Sequence, residues 1–135
     1  MKKTVLSLLC MLLCLLLFSG CRQEPAPSVS AQELTELLVQ ECKVESAMFL
    51  DKPAAMNYLG LEDAVCTDAF GFQALDSALP QIGFVLVCPD ALRAKEAKEA
   101  LETILKARIE QCHNYSPSDL EIAEQCRVVK RGLWL

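Results

Sequence analysis

Histidine is almost missing from this chain. His113 is the only one in 135 residues, which removes any metal site built on a histidine pair and the H-E-x-x-H arrangement of zinc proteases. Glycine is scarce as well: its five copies, Gly20, Gly60, Gly71, Gly83 and Gly132, are scattered, so no glycine-rich loop is available to wrap a phosphate. No two cysteines have the C-x-x-C spacing of zinc knuckles or thioredoxin-type redox motifs, and no D-x-D-x-D-G run offers a calcium loop. Positive charge is in short supply too, with 13 lysines and arginines against 18 acids. An acidic chain has little reason to bind nucleic acid or an anionic lipid surface.

What the chain does have begins at its start. Lys2 and Lys3 precede an uncharged run from Thr4 to Phe18, which closes on Phe18-Ser19-Gly20-Cys21. As a helix that run reaches about 22 Å, short of a hydrocarbon core of roughly 30 Å. It reads as a signal helix rather than a span. The closing tetrad resembles the lipobox of bacterial lipoproteins, in which a large apolar residue, two small residues and a cysteine guide processing; Phe18 stands where leucine is usual. The resemblance implies cleavage between Gly20 and Cys21 and lipidation of Cys21, with a diacylglyceryl thioether and palmitate-type acylation as the anchor. Two or more acyl chains hold a protein stably where one does so only marginally.

The expected organisation is a signal peptide over residues 1–20, a lipidated cysteine and proline-rich tether over 21–30, and a single α+β domain over 31–135. Cleavage leaves 115 residues, enough to bury a core without metal or bridges. It also removes two lysines and no acid, so the formal charge of the remainder moves from −5 to −7. Of eight cysteines, Cys10 and Cys14 leave with the signal and Cys21 takes lipid. Cys42, Cys66, Cys88, Cys112 and Cys126 remain, an odd set expected to be mainly buried thiols, with one bridge among them left open.

Ser30-Ala31-Gln32-Glu33 has the form of a capping box, and Leu34, Leu37, Leu38 and Cys42 follow at helical spacing, which predicts a helix over 31–43. Pro53 opens a short helix through Tyr58 that Gly60 ends. A strand is expected over 65–72 and a second over 82–88, the latter a continuous apolar run between Pro80 and Pro89. Asp90 caps the longest periodic segment, 91–112, in which Ala94 and Ala97 precede Leu101, Leu105 and Ile109 along one stripe. The small residues predict close approach to the sheet at the start of this helix, and the large ones filled space further on. Glu102 precedes Lys106 in the favourable ion-pair order. A short helix through Gln125, a strand over 126–130 and a hairpin completed by Leu133 to Leu135 follow, with Trp134 expected in the core. The fold class is α+β: a small, mainly antiparallel sheet with one long and one or two shorter helices packed on it, the long helix and a shorter one on one face, preceded by the signal helix and a flexible tether.

Tests for chemistry are mostly negative. His113 beside Cys112 diverges from it on a helix and is expected in the last turn, where the helix dipole favours it. Glu62, Asp63 and Asp68, or Glu121 with Glu124, are acids close enough in sequence to consider for acid–base work or a weak cation site, yet such groupings are common on solvated helix ends. The sequon Asn114-Tyr115-Ser116 carries no weight behind a bacterial-type leader. No catalytic, cofactor or metal residue is assigned.

The order of parts resembles a group of small bacterial lipoproteins defined only by a domain of unknown function. The features that carry the resemblance are the leader with Cys21, the segment Met56-Asn57-Tyr58-Leu59-Gly60-Leu61 with acids following, and the alanine- and charge-rich helix from Ala91. A further one is Tyr115-Ser116-Pro117 leading through Glu121-Ile122-Ala123-Glu124 to Val128-Val129-Lys130-Arg131-Gly132. It implies a fold and an address but no activity or substrate.

The expectation is therefore an extracytoplasmic protein held on the cell membrane by lipid on Cys21, a non-catalytic binding or assembly module of the envelope. Its partner would be an envelope protein or small ligand, with no cofactor and no nucleic acid. The alternative is a small envelope enzyme with an unrecognised carboxylate or thiol site. Replacing Cys21 by alanine is expected to release the protein from membranes or leave an uncleaved precursor; fractionation and intact mass identical to those of the unaltered protein would refute the anchor.

Overall fold

The computed structural model describes residues 28–75 and 81–135. The segments expected to be signal peptide and the first part of a tether, with Cys21, lie outside them, as does Pro80. The described elements run α1 (Ala31–Glu41), β1 (Ala47–Leu50), α2 (Lys52–Leu59), a 3-10 turn (Asp63–Val65), β2 (Asp68–Ala74), β3 (Ile82–Val87), α3 (Ala91–Tyr115) and α4 (Pro117–Gln125). The three strands form an antiparallel sheet in the order β1-β2-β3. The chain is an α+β fold. Among the described residues no helix is long and apolar enough to cross a membrane.

Local signals set most helix ends. Ser30 and Glu33 form the reciprocal capping box: the Glu33 amide donates to Ser30 Oγ at 3.1 Å and the Ser30 amide to Glu33 Oε2 at 2.8 Å. The donated amide favours the ionised form and holds the Glu33 carboxyl below its usual value. The start of α1 is also tied to the sheet, because the Ala31 amide donates to Asp68 Oδ2 at 2.9 Å and the buried Thr35 hydroxyl reaches toward Phe70 O. Asp51 caps α2 and Gly60 ends it at φ 65°, a left-handed position that suits a residue without Cβ. Asp90 caps α3, accepting from the Arg93 amide at 2.8 Å.

Side-chain alternation along the strands defines two faces. Ala69 and Leu86, with Cys66 and Cys88 beside them, meet Ala55 and Met56 of α2 and Ala94 and Ala97 of α3 on one face. Phe70, Val85 and Val87 meet Ala31 and Leu34 of α1, with Trp134, on the other. The long helix and a shorter one do share a face, and α1 covers the opposite one. Two cross-strand pairs interlock the centre. Gly71 faces Phe84 and Phe72 faces Gly83. A Cβ on Gly71 would lie 2.5 Å from Phe84 Cδ1, and one on Gly83 would lie 2.5 Å from Phe72 Cε1. Each ring thus lies over the glycine of the neighbouring strand, one pair on each face.

Several sequence expectations are corrected. β1 was not anticipated, because Ala-Met-Phe-Leu is four residues long with no β-branched member and no clean alternation; its pairing with β2 makes it a strand. The strand expected from Val65 begins at Asp68, after the 3-10 turn, and continues to Ala74. α1 stops short of Lys43, which takes φ 52°, and α3 runs on to Tyr115. Glu102 pairs with Lys98 at 3.2 Å rather than with Lys106. Residues 126–130 are extended but form no strand.

The edge of β3 is instead completed by the last three residues. The Leu86 amide donates to Leu135 O and the Leu135 amide to Leu86 O, both at 3.0 Å, while the Cys88 amide donates to Leu133 O at 2.9 Å. Gly132, at φ 59°, turns the chain so that Arg131 and Trp134 exchange backbone bonds.

Gly71→Ala is expected to lower the unfolding free energy by about 1–3 kcal/mol, the usual cost of overpacking. The loss should shrink in a Phe84→Leu background; equal losses in both backgrounds by chemical denaturation would show that the ring is not the obstacle.

Candidate functional site

The packing of α3 decides where space is left. Ala94 and Ala97 are buried in the core cluster with Leu86 and Cys88, but the larger residues that follow them on α3 are not. Leu101, Leu105 and Ile109 are only partly buried, Ile104 is exposed, and the distal part of the helix packs on α4. The expectation that the larger residues would fill the space is therefore corrected: Leu101, Ile104 and Leu105 line an open cleft instead. Its volume is about 1000 Å³, at the upper end of the roughly 300–1,000 Å³ usual for small-molecule sites.

Three layers contribute to this cleft. Phe84 and Leu86 present the sheet, with Leu135 beside them; Tyr58 and Leu59 come from α2; Leu101, Leu105 and Cys112 come from α3. Ile122 and Ala123 of α4 and the extended residues 126–129 line it as well, and the cleft reaches Val85, Trp134 and Leu34 of α1. The Tyr58 and Phe84 rings pack in a tilted pair, 36° between planes and 5.3 Å between centroids. Most of the lining is aliphatic or aromatic carbon. The charged side chains on it are Arg108, Arg127, Arg131 and Asp119. Among the described residues, none of these arginines stands in an ion pair; Arg108 donates to Gln111 Oε1 at 3.1 Å.

The acids considered from the sequence do not come together as a site. Asp63 pairs with Lys52 at 3.2 Å, Asp68 holds the Ala31 amide, and Glu121 and Glu124 are exposed on α4. Among the described residues no three His, Cys, Asp or Glu side chains are grouped as metal ligands would be. His113 lies in the last turn of α3, as its spacing implies. Cys21 and Gly20 lie outside the described residues. Trp134 is half-buried, packed on Val85 and Val87, and lines the cleft, so its core role and its access to a ligand coexist. The three arginines are not legible as a group in the sequence, because they lie apart along the chain and reach one cleft lining only through the fold.

All five described cysteines carry free thiols. Cys66 and Cys88 lie side by side in the core, and burial, reinforced by the neighbouring Cys88, pushes the Cys66 thiol up to about 12. Burial also raises Cys88. Thiols so placed are poor nucleophiles, since the thiolate is the reactive form. At pH 8, peptide-mapped alkylation is expected to modify exposed Cys42 and Cys126 first and to reach Cys66 and Cys88 only on unfolding; equal rates would contradict the burial.

The same shift links to stability. The folded state keeps the Cys66 proton up to about pH 12, whereas the ordinary value is 9.0, so unfolding releases a proton between those limits. Stability is expected to fall as pH rises through that window, and Cys66→Ala should flatten this part of the profile.

Compared with known proteins, the chain matches no protein-family model, no curated protein and no solved structure.

Proposed function

We propose that this chain is an extracytoplasmic lipoprotein, anchored in the cell membrane by lipid on Cys21, whose folded part is a non-catalytic binding module of the envelope. The observation that carries the binding role is the cleft: about 1000 Å³ of space lined mainly by carbon, opening between the sheet and the α3–α4 pair. Apolar surface left uncovered at this scale is unfavourable in water, and concave apolar sites with a few polar groups are the usual form of ligand pockets. The anchor rests on separate ground, the leader and its closing tetrad. A lipid anchor would hold the acidic domain at a membrane that its charge does not attract.

A neutral, apolar diazirine probe tests the binding role without presuming the natural ligand. With the full-length protein in phosphatidylcholine vesicles, photolabelling is expected to saturate and to map to the facing peptides of α3 and α4. Leu105→Asp, at a partly exposed position, should abolish that labelling while leaving the circular dichroism spectrum unchanged. Labelling spread over the surface without saturation would overturn the proposal.

A further inference from the structure

Charge in this protein is distributed unevenly, and the cleft is where the imbalance reverses. The portion after residue 20 carries formal charge −7. The lining of the cleft, however, has three arginines against a single acidic side chain, Asp119. On the outer surface of α3 three of the cations are paired locally, Lys95 with Glu99 at 3.8 Å, Lys98 with Glu102 at 3.2 Å and Arg93 with Glu96 at 3.0 Å, while Lys106 stands outside the cleft lining. Arg108, Arg127 and Arg131 have no such partners among the described residues. They are exposed at their outer parts and come from α3, the segment after α4 and the turn before Trp134, so distant stretches of chain bring their charge to one cleft.

An apolar interior with guanidinium groups at its margin specifies a ligand with two unlike ends. Long arginine side chains lay their methylene stems on apolar surface and keep the planar head in water, where it can bind a carboxylate through two parallel hydrogen bonds. A wholly apolar ligand would leave these donors to solvent and gain nothing from them. An anionic bilayer would meet the negative charge of the whole domain before it met the cleft.

We infer that the cleft binds a single-chain amphiphile with an anionic head, of the long-chain fatty acid type. Its tail lies against Leu101, Leu105 and Ile122, and its carboxylate lies among Arg108, Arg127 and Arg131. The inference rests on the cleft being a binding site, as proposed above, and adds the chemical class of its occupant. Trp134, the sole tryptophan of the chain and part of the lining, then lies within reach of the bound molecule.

The test compares two photoreactive probes on the full-length protein in phosphatidylcholine vesicles: a diazirine-bearing palmitate and the alcohol of the same chain length. Palmitate labelling is expected to map to peptides of α3 and to the segment carrying Arg127 and Arg131. Unlabelled palmitate should compete at least about tenfold better than a trimethylammonium analogue of equal length, the factor that one charge-assisted hydrogen bond supplies. The double variant Arg127→Gln, Arg131→Gln should lose palmitate labelling by about the same factor and keep labelling by the alcohol. Equal labelling by both probes, unchanged in the double variant, would overturn the anionic ligand and leave the apolar binding site standing. Failure of both probes to label the cleft would overturn the binding role as well.

Discussion

The cleft depends on how α3 meets the sheet. Helix and sheet surfaces approach as closely as the side chains between them permit, and interiors are packed too densely for a mismatch to be absorbed. Ala94 and Ala97 let the first turns of α3 join the cluster that holds Cys66, Leu86 and Cys88, beside the 3-10 turn. Leucine and isoleucine at the following positions of the same stripe are larger, and α4 provides a second surface for the distal part of the helix. The helix is therefore buried at its start and leaves its larger side chains partly exposed further on. A wedge of space results from an ordinary gradient of residue size, with no loop or lid required to create it.

The sheet opposite must be stiff for that wedge to keep its shape, and the two glycine–phenylalanine pairs supply the stiffness. The Phe84 ring covers Gly71 on the cleft face and packs on Tyr58, while the Phe72 ring covers Gly83 on the other. A slip of one residue between β2 and β3 would place each ring against a residue with a side chain and turn every core residue of one strand to the wrong face. Register and cleft lining are thus set by the same four residues. The capping of α1 by Ser30 and Glu33, with Asp68 holding the Ala31 amide, fixes the opposite face in the same way.

Much of this fold was legible in the sequence because its signals are local. Ser30 with Glu33, Asp90, Pro53 with Gly60, and Pro117 each act within one turn of chain, and all mark real helix boundaries. The apolar run of β3 was equally plain. What escaped was decided by partners distant in sequence. Ala47–Leu50 is a strand only because Gly71–Ala74 offers it an edge, and residues 126–130 have strand-like composition but pair with no strand. The candidate site belongs to the second kind. Leu101 and Leu105 look like core residues by spacing, and only the position of α4 reveals that their space stays open. Arg108, Arg127 and Arg131 are unremarkable as single residues, and their meaning comes from the apolar surface between them.

The pairing of Leu133–Leu135 with β3 bears on how the protein reaches its folded state. Trp134 bridges to Val87, so the contact that finishes the sheet edge closes a long stretch of chain containing both α3 and α4. Contacts so remote in sequence form late, after local helices, because the entropy of closing the intervening loop must be met first. Until residues 133–135 dock, the outer edge of β3 has only water to satisfy its Leu86 and Cys88 amides. Closure of the β3 edge by residues 133–135 is thereby the step that unites the two ends of the α3–α4 segment, after the local helices have formed.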